Sequence, residues 1–228
     1  GAVVKPEVLA SEIDMLAEGG IELGPEKLGI DAKASIIMPY HIELDGLRES
    51  KRTEKIGTTK RGIGFAYIDK VARDEIRMAD IADEASLLQR LTELSSSKES
   101  AIKDLDGDPG IVTDDGLISK YVELGKRLAP YITDVSYEIN KALEEGKNVL
   151  AEGAQGTHLD VIHGTQKFVT SSSTIAGSAC ANLGVGPTKV DGVLGIVKAY
   201  ITRVGEGPLP TELTDDIGKQ IQDVGGEF

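Results

Sequence analysis

The stretch "NVLAEGAQG", residues 148–156, decides the predicted fold class. It follows a helical pattern that ends at Gly146, and its apolar residues 149–151 predict a short buried strand that runs into a glycine loop. A helix, a buried strand and a glycine loop in this order are typical of open α/β sheets, where ligands bind beyond the carboxyl ends of the strands. We therefore predict an α/β fold with an open, mostly parallel central sheet flanked by helices.

Two further strands and a first helix extend this pattern toward both ends of the chain. Pro6 suits the first turn of an amphipathic helix, which a pair of glycines ends at residues 19–20. A short apolar run predicts a strand at residues 36–38, halted by Pro39. Residues 193–202 begin with a continuous apolar run and predict another strand.

The middle of the chain is predicted to be mainly helical. Residues 67–94 and 117–146 carry helical patterns, and Pro130 breaks the second of them. The polar residues 95–116 between the two patterns predict a surface excursion. No internal repeat or linker is present, so we predict that residues 1–228 form one α/β domain segment of a larger single-domain enzyme.

Composition excludes several classes of protein. The net charge of −13 argues against sequence-independent binding of nucleic acid, which needs a basic surface. No apolar run approaches the roughly 18 residues of a membrane span. The single cysteine, Cys180, cannot form an internal disulfide and suits a reducing compartment. We therefore expect a cytoplasmic protein with no nucleic-acid or membrane partner.

Charge is distributed unevenly along the chain. Residues 51–77 carry eight basic and four acidic side chains, a local net charge of +4. A positive, glycine-containing segment on an acidic protein favours a small anionic ligand over a polyanion. A solvated basic face is the alternative interpretation.

Three kinds of site are compatible with the stretch "EGAQGTHLDVIHGT", residues 152–165. His158, Asp160 and His163 could bind a metal, but their spacing matches no helical zinc motif. A nucleophile site is a weak alternative, because Cys180 has small apolar neighbours and the serines near residue 172 lack the usual elbow motif.

A phosphate cradle is the interpretation that the residues favour. Glycines allow backbone amides to approach an anion, and Ser or Thr hydroxyls donate to phosphate oxygens. This combination occurs in residues 152–157, in residues 168–188 and, with two added cations, in "IGTTKRGIG" at residues 56–64. None of these loops matches the Walker or dinucleotide fingerprint, so spacing alone does not name the ligand.

Several long strings of the sequence closely resemble the adenylosuccinate synthetase family. In chain order they are "MPYHIELD" (38–45), "IGTTKRGIGFAYIDKVARDEIR" (56–77), "EGAQGTHLDVIHGT" (152–165), "FVTSSSTIAGSACANLGVGPT" (168–188) and "AYITRVGEGPLPTEL" (199–213). The resemblance implies a ligase that joins IMP to L-aspartate with GTP and Mg²⁺, giving adenylosuccinate, GDP and phosphate. It also implies a homodimer.

The resemblance assigns roles to four residues. Thr59 and Thr170 match threonines that hold the IMP 5′-phosphate. Gln155 corresponds to the glutamine near the purine 6-position, where its amide supports the developing phosphoryl oxygen. Arg73 matches an arginine that reaches the IMP phosphate of the partner subunit.

The sequence departs from the family pattern at a few positions near these loops. Phe65 stands where the family usually has proline, Gln166 and Lys167 replace Tyr-Pro, and Glu75 often gives way to glycine in relatives. We expect altered turn geometry around an unchanged set of binding residues.

The family's opening G-D-E-G-K-G-K loop, with its catalytic base and magnesium ligand, has no counterpart here, and His41 does not match the general-acid histidine. We therefore expect a central segment, with no catalytic residue or metal ligand of its own, that is inactive alone and binds IMP weakly. The alternatives are a non-catalytic folding or dimerisation fragment, a generic α/β nucleotide-binding domain, and a different purine nucleotide in place of IMP.

Overall fold

Nine α-helices and four two-residue β-strands form in this computed structural model, which describes residues 1–226. The helices are α1 (Pro6–Glu18), α2 (Pro39–Lys51), α3 (Ile63–Ala72), α4 (Met78–Ala82), α5 (Glu84–Lys103), α6 (Asp115–Leu128), α7 (Val135–Glu144), α8 (Ser178–Leu183) and α9 (Asp216–Gly225). The strands are β1 (Val3–Val4), β2 (Ile30–Asp31), β3 (Ser35–Ile36) and β4 (Ile132–Thr133). Short 3-10 turns lie at Pro109–Val112, Ala129–Tyr131, Thr157–Leu159 and Pro187–Lys189.

The strands pair in parallel. β1 lies beside β3, with Val3 opposite Ser35, and β2 lies beside β4, with Ile30 opposite Ile132. Helices pack around both pairs, so the predicted α/β class with parallel strands is confirmed. Within residues 1–226 the strands form two separate pairs rather than one continuous sheet.

A hydrophobic core joins β3 to helices α1, α2, α4, α5 and α6. Its fully buried members include Ile36, Met78, Leu87, Ile102, Tyr121 and Leu128. Beyond Leu128, the only buried side chain among the described residues belongs to Asp160. We call residues 1–128 the helical part and residues 129–226 the loop-rich part, because only the first contains this core.

The helical part begins largely as its prolines and glycines predict. Pro6 starts α1, and the helix ends at Glu18, immediately before the glycine pair. The strand predicted at residues 36–38 is β3 and occupies Ser35–Ile36. Pro39 starts α2 three residues after the end of β3, since proline suits the first turn of a helix.

Helix α5 is longer than the sequence predicts. Residues 95–103, predicted to be part of a surface excursion, form its last turns, and Lys98 and Ile102 on them are buried. Helical spacing from Leu87 onward places one apolar stripe against the core, so the polar serines simply face outward. This helix has 20 residues, and no helix within residues 1–226 is both long and apolar enough to cross a membrane.

Two predicted strands do not form in the loop-rich part. Residues 149–151 and 193–202 have no strand assignment, and Leu150 and Ile196 are 90% and 84% exposed. A strand needs a neighbouring strand to satisfy its N–H and C=O groups, and the described residues place none beside these segments. Both strand predictions are therefore wrong for this structure, although the break near Pro130 is confirmed because α6 ends at Leu128.

Candidate nucleotide-binding site

One large cavity separates the helical part from the loop-rich part. Its volume is about 2650 Å³, and its walls include Thr59, Gln155 and Thr170. Three of the four residues that the sequence singles out therefore face the same space. Arg73 lies outside the cavity wall, on the exposed end of α3.

The loop of residues 56–62 is fastened to α2 by Asp45. One carboxylate oxygen accepts a hydrogen bond from the Thr58 hydroxyl at 3.1 Å, and the other accepts from the Gly62 N–H at 3.0 Å. Gly62 has a φ of +75°, and a Cβ there would lie 2.8 Å from the Ile42 nitrogen. Glycine is required at this point because the loop approaches the backbone of α2 in a left-handed conformation.

Glu49, one helical turn after Asp45, fastens the other end of the same loop. Its Oε1 accepts from the Ile56 and Gly57 N–H groups at 3.0 and 2.8 Å. Burial alone would raise the pKa of Glu49, but the N–H donors of Gly57 and Ile56 outweigh it and lower the pKa. The carboxylate is therefore charged at neutral pH and is a strong acceptor for the loop.

Thr59 lies between these two attachment points. It is exposed, and its hydroxyl has no hydrogen-bond partner within residues 1–226. The neighbouring Thr58 hydroxyl is occupied by Asp45, so the loop leaves one of its two threonine hydroxyls available. This hydroxyl can donate to an anion in the cavity.

Gln155 is held in an uncommon backbone conformation. Its φ is +62°, in the left-handed region that side chains other than glycine rarely adopt. Such strain is concentrated at functional sites, where the surroundings fix it. The next residue, Gly156, accepts a hydrogen bond from the Thr174 hydroxyl at 2.7 Å, which attaches the Gln155 turn to residues 170–175.

Thr170 belongs to that second hydroxyl-rich loop. Its N–H donates to the Leu159 carbonyl at 2.8 Å, while its hydroxyl has no hydrogen-bond partner in the part of the chain that the structure describes. Residues 203–206 connect the loop that carries Thr170 with the loop of residues 56–62. Arg203 donates to the Phe168 carbonyl at 2.8 Å, and the Glu206 N–H donates to the Ile56 carbonyl at 3.2 Å.

The metal interpretation of residues 152–165 gains no support from the side-chain positions. Asp160 is fully buried and accepts hydrogen bonds from the N–H groups of Ile162 and His163. Within residues 1–226, no group of three or more His, Cys, Asp or Glu side chains is placed to hold a metal ion. Asp160 therefore has a backbone-binding role that its sequence context does not reveal.

Arg73 caps the carboxyl end of α3 with a φ of +70°. Its side chain is exposed and does not line the cavity, so the structure does not bring it together with the other three predicted residues. Its carbonyl accepts from Arg90 at 3.4 Å, which holds the cap in place. An exposed guanidinium at a fixed helix end can reach a second molecule.

A buried polar cluster under α3 escaped the sequence analysis. The His41 Nδ1 accepts from the Met38 N–H at 2.9 Å, so its Nε2 carries the proton and donates to Asp69 at 2.9 Å. Lys98 donates to the other Asp69 oxygen at 2.5 Å. Burial lowers the pKa of His41, and its bond to Asp69 offsets only part of that effect. The one signal in the sequence was Lys98, a polar residue at a position on the buried face of α5.

The residues that depart from the family pattern fit locally. Phe65 packs against the core, and the Arg48 guanidinium lies 5.7 Å from its ring centroid. Buried Glu75 contacts Ser35 and forms ion pairs with Lys70 and Arg77 at 3.1 and 2.8 Å. Glu75 therefore neutralises two of the local cations that the sequence analysis counted toward an anion-attracting segment.

Residues 166–167 also have defined contacts. Gln166 donates through its side-chain amide to the Val161 carbonyl at 2.9 Å, and Lys167 pairs with Glu54. The second contact joins the loop-rich part to the helical part. Neither side chain displaces Thr170 from the cavity wall.

Comparison with known proteins identifies the family. The family model for adenylosuccinate synthetase matches residues 1–228. The chain belongs to the adenylosuccinate synthetase family. A match over the whole length does not favour the alternative of a generic α/β nucleotide-binding domain.

Relatives within the adenylosuccinate synthetase family are close in sequence. The chain is 75% identical to adenylosuccinate synthetase of Methanococcoides burtonii and 71% identical to that of Methanosarcina mazei, and covers 54% and 60% of them. It is also similar to the solved structure of fully ligated adenylosuccinate synthetase from Plasmodium falciparum. That similarity has a TM-score of 0.89 at 32% identity and covers 100% of this chain and 52% of that one. The chain spans about half the length of the curated relatives it matches.

Proposed function

We propose that the protein carrying this chain is an adenylosuccinate synthetase, which joins IMP and L-aspartate at the expense of GTP in AMP biosynthesis. The observation that carries the proposal is the placement of Thr59, Gln155 and Thr170 on the wall of one cavity. Family membership over residues 1–228 supports the same reaction. We further propose that these residues belong to a single α/β domain and that the protein is cytoplasmic.

Two threonine hydroxyls form the phosphate-binding part of the proposed site. Thr59 and Thr170 approach the cavity from separate loops, and both hydroxyls are free to donate. Each donates one hydrogen bond to the 5′-phosphate of IMP, and hydrogen bonds to charged groups are among the strong ones. Glycines beside each threonine allow the backbone to approach the same oxygens.

Gln155 acts at the other end of the nucleotide. In the proposed reaction the γ-phosphoryl group of GTP passes to the 6-oxygen of IMP, and the aspartate amine then displaces that phosphate at carbon 6. The Gln155 amide donates to the 6-oxygen as phosphoryl transfer proceeds. In-line transfer depends mainly on positioning and charge stabilisation, which a fixed amide supplies.

Mg²⁺ would neutralise charge on the transferring phosphoryl group when bound. No metal-ligand group is present within residues 1–226, so we assign no magnesium ligand and no step through the ion to them. The described residues bind and orient IMP. We therefore propose that the 228-residue chain alone binds IMP weakly and has no ligase turnover.

Arg73 supports a homodimer in this proposal. Its guanidinium is exposed, carries no ion pair within residues 1–226 and lies outside the cavity of its own chain. The arginine reaches the IMP phosphate in the partner subunit, where its fork-shaped donors suit phosphate oxygens. Dimerisation would add the Arg73 guanidinium of the partner subunit to the cations that already line each cavity.

An assay on the longer protein tests the proposed function. Adenylosuccinate formation from IMP and aspartate should require GTP, and product is measured by chromatography. Thr59→Val and Thr170→Val should each raise the KM for IMP by about tenfold or more, through loss of a charge-assisted hydrogen bond. Thr113→Val, at an exposed threonine outside the cavity, is the matched control. Absence of GTP-dependent product in the wild-type protein contradicts the proposal.

A further inference from the structure

Asp160 is the organising residue of the loop-rich part. Its side chain is fully buried, whereas every other described residue after Leu128 is at least partly exposed. Apolar side chains normally fill such a position, because burial of a carboxylate is costly unless its oxygens are hydrogen-bonded. The loop-rich part is therefore organised around a charged group and its donors.

One oxygen of this carboxylate holds its own loop. Oδ1 accepts from the Ile162 and His163 N–H groups, each at 2.9 Å. These bonds close the turn that follows residues 153–157, which carry Gln155. The position of that turn therefore depends on the Asp160 side chain.

The other oxygen holds a second loop. Oδ2 accepts from the Ser173 hydroxyl at 2.8 Å, from the Thr174 N–H at 2.6 Å and from the Ile175 N–H at 3.4 Å. No cation pairs with Asp160 among the described residues, so N–H and O–H donors alone stabilise its charge. The His163 N–H is the largest cause that keeps the pKa of Asp160 well below its usual range.

Two further hydrogen bonds between uncharged groups connect the same loops next to the proposed binding residues. The Thr170 N–H bonds to the Leu159 carbonyl at 2.8 Å, and the Thr174 hydroxyl bonds to the Gly156 carbonyl at 2.7 Å. Gly156 follows Gln155 immediately. Asp160 thus fixes the two loops at the point from which Gln155 and Thr170 enter the cavity.

We propose that Asp160 is a positioning residue that sets the separation between the Gln155 amide and the Thr170 hydroxyl and so fits the site to one nucleotide. This inference rests on the proposed function. Asp160 acts through the two loops and does not itself touch the substrate, since its oxygens are fully taken up by five donors.

Asparagine cannot replace Asp160 in this role. It has nearly the same shape, but one of its terminal groups is an NH₂ donor. Because both carboxylate oxygens face N–H donors, the NH₂ group would oppose donors of one loop or the other. A purely space-filling role would tolerate Asp160→Asn, whereas the positioning role does not.

Steady-state kinetics of the longer protein test the inference. For Asp160→Asn we expect kcat/KM for IMP to fall by about 100-fold, the cost of displacing a reacting group by roughly an ångström. The KM for GTP should stay within about twofold, because Asp160 is proposed to position only groups that bind IMP. A uniform loss of folded enzyme would instead lower kcat without changing either KM. Asp115→Asn, at an exposed aspartate of α6 without a side-chain hydrogen bond, is the matched control and should behave as wild type.

A second variant keeps the test decisive if Asp160→Asn fails to fold. Ser173→Ala removes one donor and leaves four, so the KM for IMP should rise by about fivefold. Asp160→Asn with kinetics within about twofold of wild type contradicts the inference, as does Ser173→Ala without any change in KM.

Amide NMR separates failure of this inference from failure of the proposed function. A charged acceptor shifts the Thr174 and His163 amide protons downfield, and both signals should move upfield in Asp160→Asn, whatever reaction the protein catalyses. If the wild-type protein makes no adenylosuccinate, the proposed function fails and with it the role in nucleotide fitting. Unchanged amide signals in an active enzyme defeat the Asp160 inference alone.

Discussion

The helical part and the loop-rich part of this chain reach defined structures by different means. Residues 1–128 bury an apolar core to which five helices contribute. Residues 129–226 bury one side chain, the carboxylate of Asp160, and fix the loops at residues 160–163 and 173–175 with hydrogen bonds to it. Apolar burial is non-directional and sets overall shape, whereas hydrogen bonds fix the position of individual groups. Of the three proposed binding residues on the cavity wall, Gln155 and Thr170 lie in the loop-rich part, whereas Thr59 lies on a loop of the helical part.

Carboxylates also hold a loop on the helical side of the cavity. Asp45 and Glu49 hold the 56–62 loop by accepting its N–H and O–H donors, as Asp160 holds the loops opposite. Carboxylates thus fasten both sides of a site that is proposed to bind an anion. These carboxylates accept hydrogen bonds from the N–H and O–H groups that fix the shape of the loops. The Thr59 and Thr170 hydroxyls are not used in this way and can donate to the proposed ligand.

Truncating one leucine in each part should give the largest contrast. Leu128→Ala, in the core, should lower the free energy of unfolding by about 3 kcal/mol through lost burial and a residual cavity. Leu150→Ala, at an exposed position, should change it by less than about 0.5 kcal/mol. Urea denaturation of the 228-residue chain measures both. Equal costs would contradict the division into a core-built part and a loop-rich part.

Removing the Glu49 carboxylate should affect binding more than stability. Glu49→Ala leaves the Ile56 and Gly57 N–H groups without an acceptor, and the KM for IMP should rise about 30-fold as the Thr59 loop loses its shape. Glu49→Gln keeps a carbonyl acceptor at the same place and should remain within about threefold of wild type. If both variants bind IMP alike, Glu49 does not position this loop.

Lowering the pH should reduce the free energy of unfolding of the helical part, because His41 is buried there. Because burial lowers its pKa in the folded state, the unfolded chain binds more protons below about pH 6.5, and stability falls as the pH decreases from there. The slope for one group is at most about 1.4 kcal/mol per pH unit. Urea denaturation at several pH values measures it.

An NMR titration assigns that pH effect to its source. The His41 imidazole bonds to Asp69, which also binds Lys98, and its signal should titrate below the ordinary histidine value of about 6.5. A signal that titrates at or above about pH 6.5, the ordinary value for histidine, would contradict the assignment. The lowered pKa of Asp69 keeps its own contribution intact until the pH falls below the usual range for aspartate, so the two effects separate.

The smallest effect is expected at an exposed ion pair, one of those that join the two parts. Lys167 and Glu54 are both largely exposed, and such pairs contribute little because water and salt screen them. Lys167→Ala should change the free energy of unfolding by less than about 0.5 kcal/mol, as measured by urea denaturation with Glu54→Ala as a paired control. A cost of several times that value would mean that surface charge, rather than the loop network, joins the parts.

Local signals in the sequence predicted the elements that local chemistry determines. Pro6 and the following glycine pair bounded α1, and Pro130 marked the end of α6. The strands predicted at residues 149–151 and 193–202 did not form, because pairing depends on distant neighbours that an apolar run does not specify. The extent of α5 was missed because serines obscured a regular apolar stripe.

The sequence pointed to the loops that line the candidate site and not to the side chains that support those loops. Glycine and hydroxyl composition pointed to the loops that carry Thr59 and Thr170, and both line the cavity. Asp45 and Glu49 look like ordinary charges on a helix, and Asp160 looks like a metal ligand. Their roles depend on which backbone N–H groups fold against them, and that information lies in tertiary structure alone.

A crystal structure of the longer protein with IMP tests the central claim most directly. The account predicts the 5′-phosphate between the Thr59 and Thr170 hydroxyls, within hydrogen-bonding distance of both, and the purine 6-oxygen beside Gln155. A phosphate bound by only one of these loops, or at another surface while both hydroxyls remain free, would contradict it.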